Sequence, residues 1–131
     1  MIRNIFNIPA IRLMEKGLDL SALRHRIISE NIANSETPGY KKKEVSFSGL
    51  LEDALANYSN GIGTTDPLAK NKQEDVIREI KTTSMRNDGN NVDVDEEMVK
   101  LAQNTLYYQA LSQQVGAHFA LLKTVINGGG R

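Results

Sequence analysis

VDVDEEMVKLAQNTLYYQALSQQVGAHFALLKTVINGGG, residues 92–130, is the stretch that decides the fold. Met98, Leu101, Thr105, Tyr108, Ser112, Val115, Phe119, Leu122 and Ile126 alternate by three and four. That spacing keeps a seam on one side of a helix wound to about 3.5 residues per turn. Asp93, Asp95, Glu96 and Glu97 lie at its start, where carboxylates complement the helix dipole. Asp93 and Glu96 have the spacing of a capping box, and the Gly128-Gly129-Gly130 run stops the pattern. A helix over about residues 95–127 is predicted, roughly 48 Å long. Thr105 and Ser112 dilute the seam, while Gly116, Ala117 and Ala120 allow close approach on another side. A helix apolar on more than one side calls for more than one packing partner.

The other end of the chain has the same character. Ile11, Met14, Leu18, Ala22, His25, Ile28 and Ile32 fall near one line of a helix, and Leu13, Leu20, Leu23 and Ile27 widen the stripe. Pro9 suits a first helical turn, and Pro38 closes the pattern by pushing Thr37 out of helical geometry. A helix over about residues 8–36 is predicted. Chain ends that are the best core formers must meet, either as an intramolecular hairpin or as a helix pair that also packs between subunits.

The 131 residues are enough for one domain. Aromatics make up only 5% of them and mean hydropathy is −0.39, so a large aromatic core is not expected. Formal net charge is zero, which gives nucleic acid no electrostatic footprint. Residues 1–46 hold eight Lys/Arg against five Asp/Glu, so the first third is mildly basic and the rest mildly acidic. No apolar run is long enough to span a bilayer. There is no cysteine, hence no disulfide and no thiolate ligand. Arg3, Asn4 and Asn7 interrupt the apolar Ile2, Ile5, Phe6 and Ile8, so no cleavable leader is expected.

The middle, residues 37–94, reads as a turn, a short helix, a loop and short strands. Residues 47–58 suit a short amphipathic helix, and 58–75 carries loop signals such as Asn60-Gly61 and Asp66-Pro67. Residues 76–80 suit a strand, Asn87-Asp88-Gly89-Asn90-Asn91 a turn, and Val92 with Val94 a second strand. The predicted class is mainly α: N- and C-terminal helices paired as a coiled-coil-like bundle, with a short irregular/β middle segment.

No catalytic constellation emerges. From Asp88, the EF-hand pattern fails at Val92, Asp93 and Val99, so capping and a turn account for the acidic cluster. His25 and His118 would need two further ligands to hold zinc. Gly61-Ile62-Gly63-Thr64-Thr65 lacks the Gly-Lys of a phosphate loop, and Ser46 and Ser48 lack a nucleophile elbow. Lys41-Lys42-Lys43 has no stacking platform beyond Tyr40. The expectation is no enzyme, no cofactor, no metal, no nucleic acid and no small-molecule substrate.

Ser29-Glu30-Asn31-Ile32-Ala33-Asn34-Ser35-Glu36-Thr37-Pro38-Gly39-Tyr40 resembles the signature of the bacterial flagellar rod and hook axial proteins, with its Asn-Ile-Ala-Asn run followed by Thr-Pro-Gly-Tyr. A second match is Gly89-Asn90-Asn91-Val92-Asp93 leading into Glu96-Glu97-Met98, then Asn104 and Tyr108-Gln109. Short length and the lack of large inserted outer domains are similar to the small proximal-rod subunits of the basal-body rod family.

The resemblance implies a single axial-protein domain over residues 1–131. Its terminal helices would form a coiled-coil inner domain, and copies would pack helically around a channel into a hollow, torque-transmitting shaft needed for motility. The implied partners are the protein itself, other flagellar rod subunits, the MS ring, the FliE junction protein and the flagellar type III export gate. Passage would be unfolded and without cleavage, ending outside the cytoplasm, with Ile5, Phe6 and Ile8 as candidates for the export motif. Ile11, Met14, Leu18, Ile28, Leu101, Val115, Phe119, Leu122 and Ile126 are the expected assembly seam.

In that frame Pro38 fixes φ and Gly39 supplies the positive φ of a type II turn. Tyr40 buries its ring with its hydroxyl wet or bonded. Asn31 and Asn34 are expected to satisfy carbonyls freed at the helix end, and Asn90 and Asn91 to hold the point where the chain re-enters the bundle. Two alternatives from other classes stand beside this reading. One is a cytoplasmic helical adaptor or chaperone that binds a partner helix. The other is a small metal-dependent enzyme using Asp93, Glu96, Glu97 and a histidine.

Overall fold

Two helices carry the architecture. The computed structural model describes residues 9–46, 77–83 and 87–128. Helix α1 spans Pro9–Ala33. Its last turn tightens as the Asn34 N–H donates to both Glu30 O and Asn31 O, and the Ser35 N–H to Ile32 O. Pro38 cannot continue such a ladder. The chain reverses over Thr37-Pro38-Gly39-Tyr40, closed by the Tyr40 N–H on Thr37 O at 3.3 Å, with Gly39 at φ 72°. Proline followed by a residue at positive φ is the type II arrangement.

Strand β1, Lys43–Val45, follows at once. It pairs antiparallel with β2, Ile77–Glu79, with Lys43 opposite Glu79 and Val45 opposite Ile77. A second turn, with Gly89 at φ 85°, leads to helix α2, Val94–Gly128, about 52 Å long. Asp93 caps it: its Oδ1 accepts from the Asp95 N–H at 3.0 Å and the Glu96 N–H at 3.3 Å.

The helices run antiparallel. Asn31 meets Glu97 near the turns, Ser21 meets Asn104 further along, and Gly17 faces Leu111 beyond that. Leu20, Ile27 and Val45 form the apolar cluster, joined by Leu23 and Ile77; Ile28 and Val92 are buried as well. So the fold is mainly helical, two long helices packed together with a short strand-containing middle.

The structure corrects several expectations. Val92 and Val94 do not form a second strand; the second strand is Lys43–Val45, which pairs with Ile77–Glu79. Val92 is held instead through the Asn90 side chain, and Val94 already belongs to α2. The capping box is only half built, because Glu96 directs its carboxylate to Lys100 and Lys42.

The α2 seam is turned by one position. Leu101, Val115 and Leu122 are half-buried against the hairpin, but Met98, Phe119 and Ile126 lie outside it, 51%, 49% and 73% exposed. Glu97, Asn104, Leu111 and His118 take the intervening inner positions. On α1, Ile11, Met14 and Leu18 are half-buried and Ile28 is buried, while Ala22 and His25 face out. The expected 47–58 helix, the 58–75 loop and the Ile5, Phe6 and Ile8 motif lie outside the described residues.

Candidate functional site

Three asparagines organise the turn end, and none of them exposes its side chain. Asn31 is 0% exposed. Its Nδ2 donates to Lys43 O at 2.8 Å and Glu97 Oε2 at 2.9 Å. Its Oδ1 accepts from the Lys43 N–H at 2.9 Å and the Tyr40 hydroxyl at 3.2 Å. Two donors and two lone pairs are thus all engaged. The expectation for Asn31 is corrected: it does not cap its own helix but grips the returning strand and α2. Asn34 does reach back, donating to Glu30 O at 2.8 Å.

Asn90 serves the helix end from across the structure. Its Nδ2 lies 3.0, 3.0 and 2.8 Å from the carbonyls of Asn34, Ser35 and Thr37. Its Oδ1 accepts from the Val92 N–H at 2.8 Å. Asn91 bridges the chain on either side of the sheet: its Oδ1 accepts from the Lys42 N–H at 2.7 Å and its Nδ2 donates to Ile80 O at 2.7 Å. The turns also touch directly, with the Gly39 N–H on Asp88 O at 3.0 Å and Lys41 Nζ on Gly89 O at 2.6 Å. Hydrophobicity cannot order irregular backbone. Side-chain amides can, because each offers both a donor and an acceptor to peptide groups that would otherwise be buried unpaired.

A charged layer covers this clamp. Glu97, 1% exposed, accepts from Asn31 on one oxygen and from Lys100 Nζ at 3.1 Å on the other. Lys100 also reaches Glu96 at 2.8 Å and Glu44 at 3.0 Å. Burial pulls the Lys100 ammonium toward neutrality, but the hydrogen bonds to Glu96, Glu44 and Glu97 outweigh it and hold its pKa above the usual lysine range. The same bond to Lys100 holds the Glu96 carboxyl below the usual carboxylate range, with Lys42 adding to the effect. The bond between Lys43 and Glu30 raises Lys43. Burial raises the Tyr40 hydroxyl, and the Glu30 charge raises it further.

Further along the hairpin, buried Asn104 pairs with buried Ser21. Its Nδ2 donates to Ser21 O at 2.9 Å and its Oδ1 accepts from Ser21 Oγ at 3.0 Å. Among the described residues no buried side-chain polar atom lacks a partner.

Of the remaining sequence-singled residues, Ala33 and the turn residues Thr37, Pro38 and Gly39 are exposed, and Tyr40 is half-buried. Asp93 caps α2 and Val92 is buried beneath the clamp. Tyr108 and Gln109 lie exposed on α2, apart from the clamp. The burial of Glu97, the Ser21–Asn104 pair and β1 escaped the sequence reading. An amide inside an apolar stripe, as at Asn104, was the available signal.

Among the described residues no group of three His, Cys, Asp or Glu side chains is placed to hold a metal. Asp93 caps a helix, and Glu96 and Glu97 are committed to lysines and Asn31. His25 and His118 lie on opposite sides of the Ser21–Asn104 and Gly17–Leu111 contacts, so they do not meet. No helix among the described residues is long and apolar enough to cross a membrane.

Fold and site together define a structural hairpin: two long helices held in register by buried amides, with apolar side chains left outside along the longer one. No family model matches the chain. It is 40% identical to the flagellar basal body rod protein FlgB of Bacillus subtilis, over 91% of this chain and 94% of that protein. It is 34% identical to FlgB of Borrelia hermsii, over 94% and 98%. It is 28% identical to FlgB of Salmonella typhimurium, over 92% and 94%. The chain belongs to the FlgB family of flagellar basal body rod proteins and is a structural subunit of that rod.

Proposed function

We propose that this chain builds the proximal rod, its hairpins packing helically around a channel to make a hollow shaft that transmits torque. The observation that carries this is the outer surface of α2. Val99, Leu106, Leu121, Val125 and Ile126 are 57%, 67%, 64%, 72% and 73% exposed. Val99, Leu106, Leu121 and Val125 fall within about 100° of arc, on a side of α2 other than the one that meets α1, so the single partner α1 cannot cover them. Scattered exposed apolar residues are ordinary, but a rank of them along one long helix marks a surface made for contact. Family membership and this surface favour a packed subunit over a freestanding adaptor.

The expected seam enters the same proposal. Ile11, Met14, Leu18, Ile28, Leu101, Val115 and Leu122 hold the hairpin, while Met98, Phe119 and Ile126 face neighbouring subunits. The domain is one axial unit, with the turn motif and the Asn90–Asp93 segment as its rigid end. Its partners are copies of itself, other rod subunits, the MS ring and the FliE junction protein. It reaches them through the flagellar type III export gate and resides outside the cytoplasm. Its role is mechanical, with no turnover and no cofactor.

Leu106→Glu tests the proposal. Leu106 is outside the hairpin contact and Glu favours helix, so the monomer should keep its helicity. Incorporation into purified basal bodies and motility should be lost. A variant that enters rods at the native level would overturn the reading.

A further inference from the structure

Two seams overlap on α2. Leu101, Val115 and Leu122 are common to both. The seam turned toward α1 adds Glu97, Asn104, Leu111 and His118. The other adds Met98, Thr105, Ser112, Phe119 and Ile126. At ~100° per residue their midlines differ by about 50°, a small rotation for a packed helix. The unused seam is the more apolar. Burial of apolar area alone would turn Met98 and Phe119 inward, yet both stay half-exposed.

The used seam has specific partners instead. Asn104 engages Ser21 through both ends of its amide. Glu97 engages Asn31 and Lys100. Turning α2 would carry Asn104 and Glu97 off the interface and leave part of the Ser21 and Asn31 hydrogen bonding unmet beneath apolar side chains. Gly17 adds a steric element, since a Cβ there would stand 3.0 Å from Leu111 Cδ1. The notch fits Leu111 only while α2 keeps its present rotation.

We propose that the buried pairs Ser21–Asn104 and Asn31–Glu97 are rotation selectors, choosing the less apolar of two competing α2 seams and so holding Met98 and Phe119 outside the hairpin. A buried polar group at one seam position specifies register in this way, at some cost in stability.

The absence of cysteine makes the test direct. Ser112→Cys and Thr105→Cys each place one thiol on the exposed, unused seam of the full-length chain. Each is alkylated in the otherwise native chain and in a Ser21→Ala/Glu97→Ala/Asn104→Ala background. Alanine removes the selectors without making the used seam more apolar than its rival. The expected result is retained helicity with alkylation slowed at least two-fold at both thiols, because the rotated population hides them. Unchanged rates would overturn the proposal. So would loss of helicity, which would make these pairs supports of the fold and not selectors between two packings.

Discussion

The turn end and the far end of α2 solve opposite problems. At the turn end irregular backbone is buried, and Asn31, Asn90 and Asn91 pair it from both sides. At the far end regular helix needs no such help, yet Leu121, Val125 and Ile126 remain open to solvent. One region is complete within the chain; the other gains stability only from something laid against it. The contrast teaches that rigidity and association are carried by different chemistry here. Directional hydrogen bonds set one end, and non-directional apolar surface is held ready along the other.

The largest expected effect breaks the complete end. Asn90→Leu would leave the Asn34, Ser35 and Thr37 carbonyls and the Val92 N–H without their amide partner. The Thr37 and Tyr40 N–H groups still serve the Asn34 and Thr37 carbonyls, so the buried Val92 N–H is the chief unmet group, and at on the order of 1–3 kcal/mol for such a group a loss of ~2 kcal/mol is expected by urea unfolding. A loss below ~1 kcal/mol would mean the amide is not what holds the turn.

Gly39→Val comes next. A Cβ at Gly39 meets nothing within 4 Å, so the penalty is the left-handed backbone alone, about 1–2 kcal/mol. Gly39→Asn, which tolerates positive φ better, should recover most of it. Equal losses for Val and Asn would point to a contact and not to φ.

The charged layer gives a smaller, pH-dependent effect. Glu96 has its pKa lowered in the fold, so its contribution is present above the ordinary value of 4.5 and declines as pH falls through the depressed one. Lys100 has its pKa raised, so its contribution is full below 10.5 and declines as pH rises toward the elevated folded value. Thermal midpoints should be flat across neutral pH and fall on both flanks. In Lys100→Met the alkaline fall should shrink and the Glu96 part of the acid fall should go with it.

Smallest of all should be the effect of Leu106→Glu on the isolated chain, within ~0.5 kcal/mol of native stability. That near-silence beside lost rod incorporation would sharpen the contrast between the two regions. A large destabilisation of the monomer would erase it.

Much of this was legible. Three-four spacing at Leu101, Val115 and Leu122 marked the face of α2 that meets α1, and Pro38-Gly39 marked where α1 stops. Asn31, Asn90 and Asn91 were singled out, but their partners were not, because an amide's partners depend on which backbone arrives beside it. The errors share a cause. Met98 was placed in the hairpin seam and Glu97 outside it because hydropathy scores a side chain in isolation. Asn31 and Lys100 reverse that preference by making the buried carboxylate the paired one.

Local pattern alone therefore determined that there are two long terminal helices, where each ends, and that they must find apolar cover. Those outcomes depend on neighbours within a few turns, where backbone preference and periodicity act directly. Tertiary structure decided the rotation of α2, the pairing of Lys43–Val45 with Ile77–Glu79, and which carbonyls Asn90 holds. Each of those joins residues 30 or more positions apart, and only the assembled fold brings their donors and acceptors within reach.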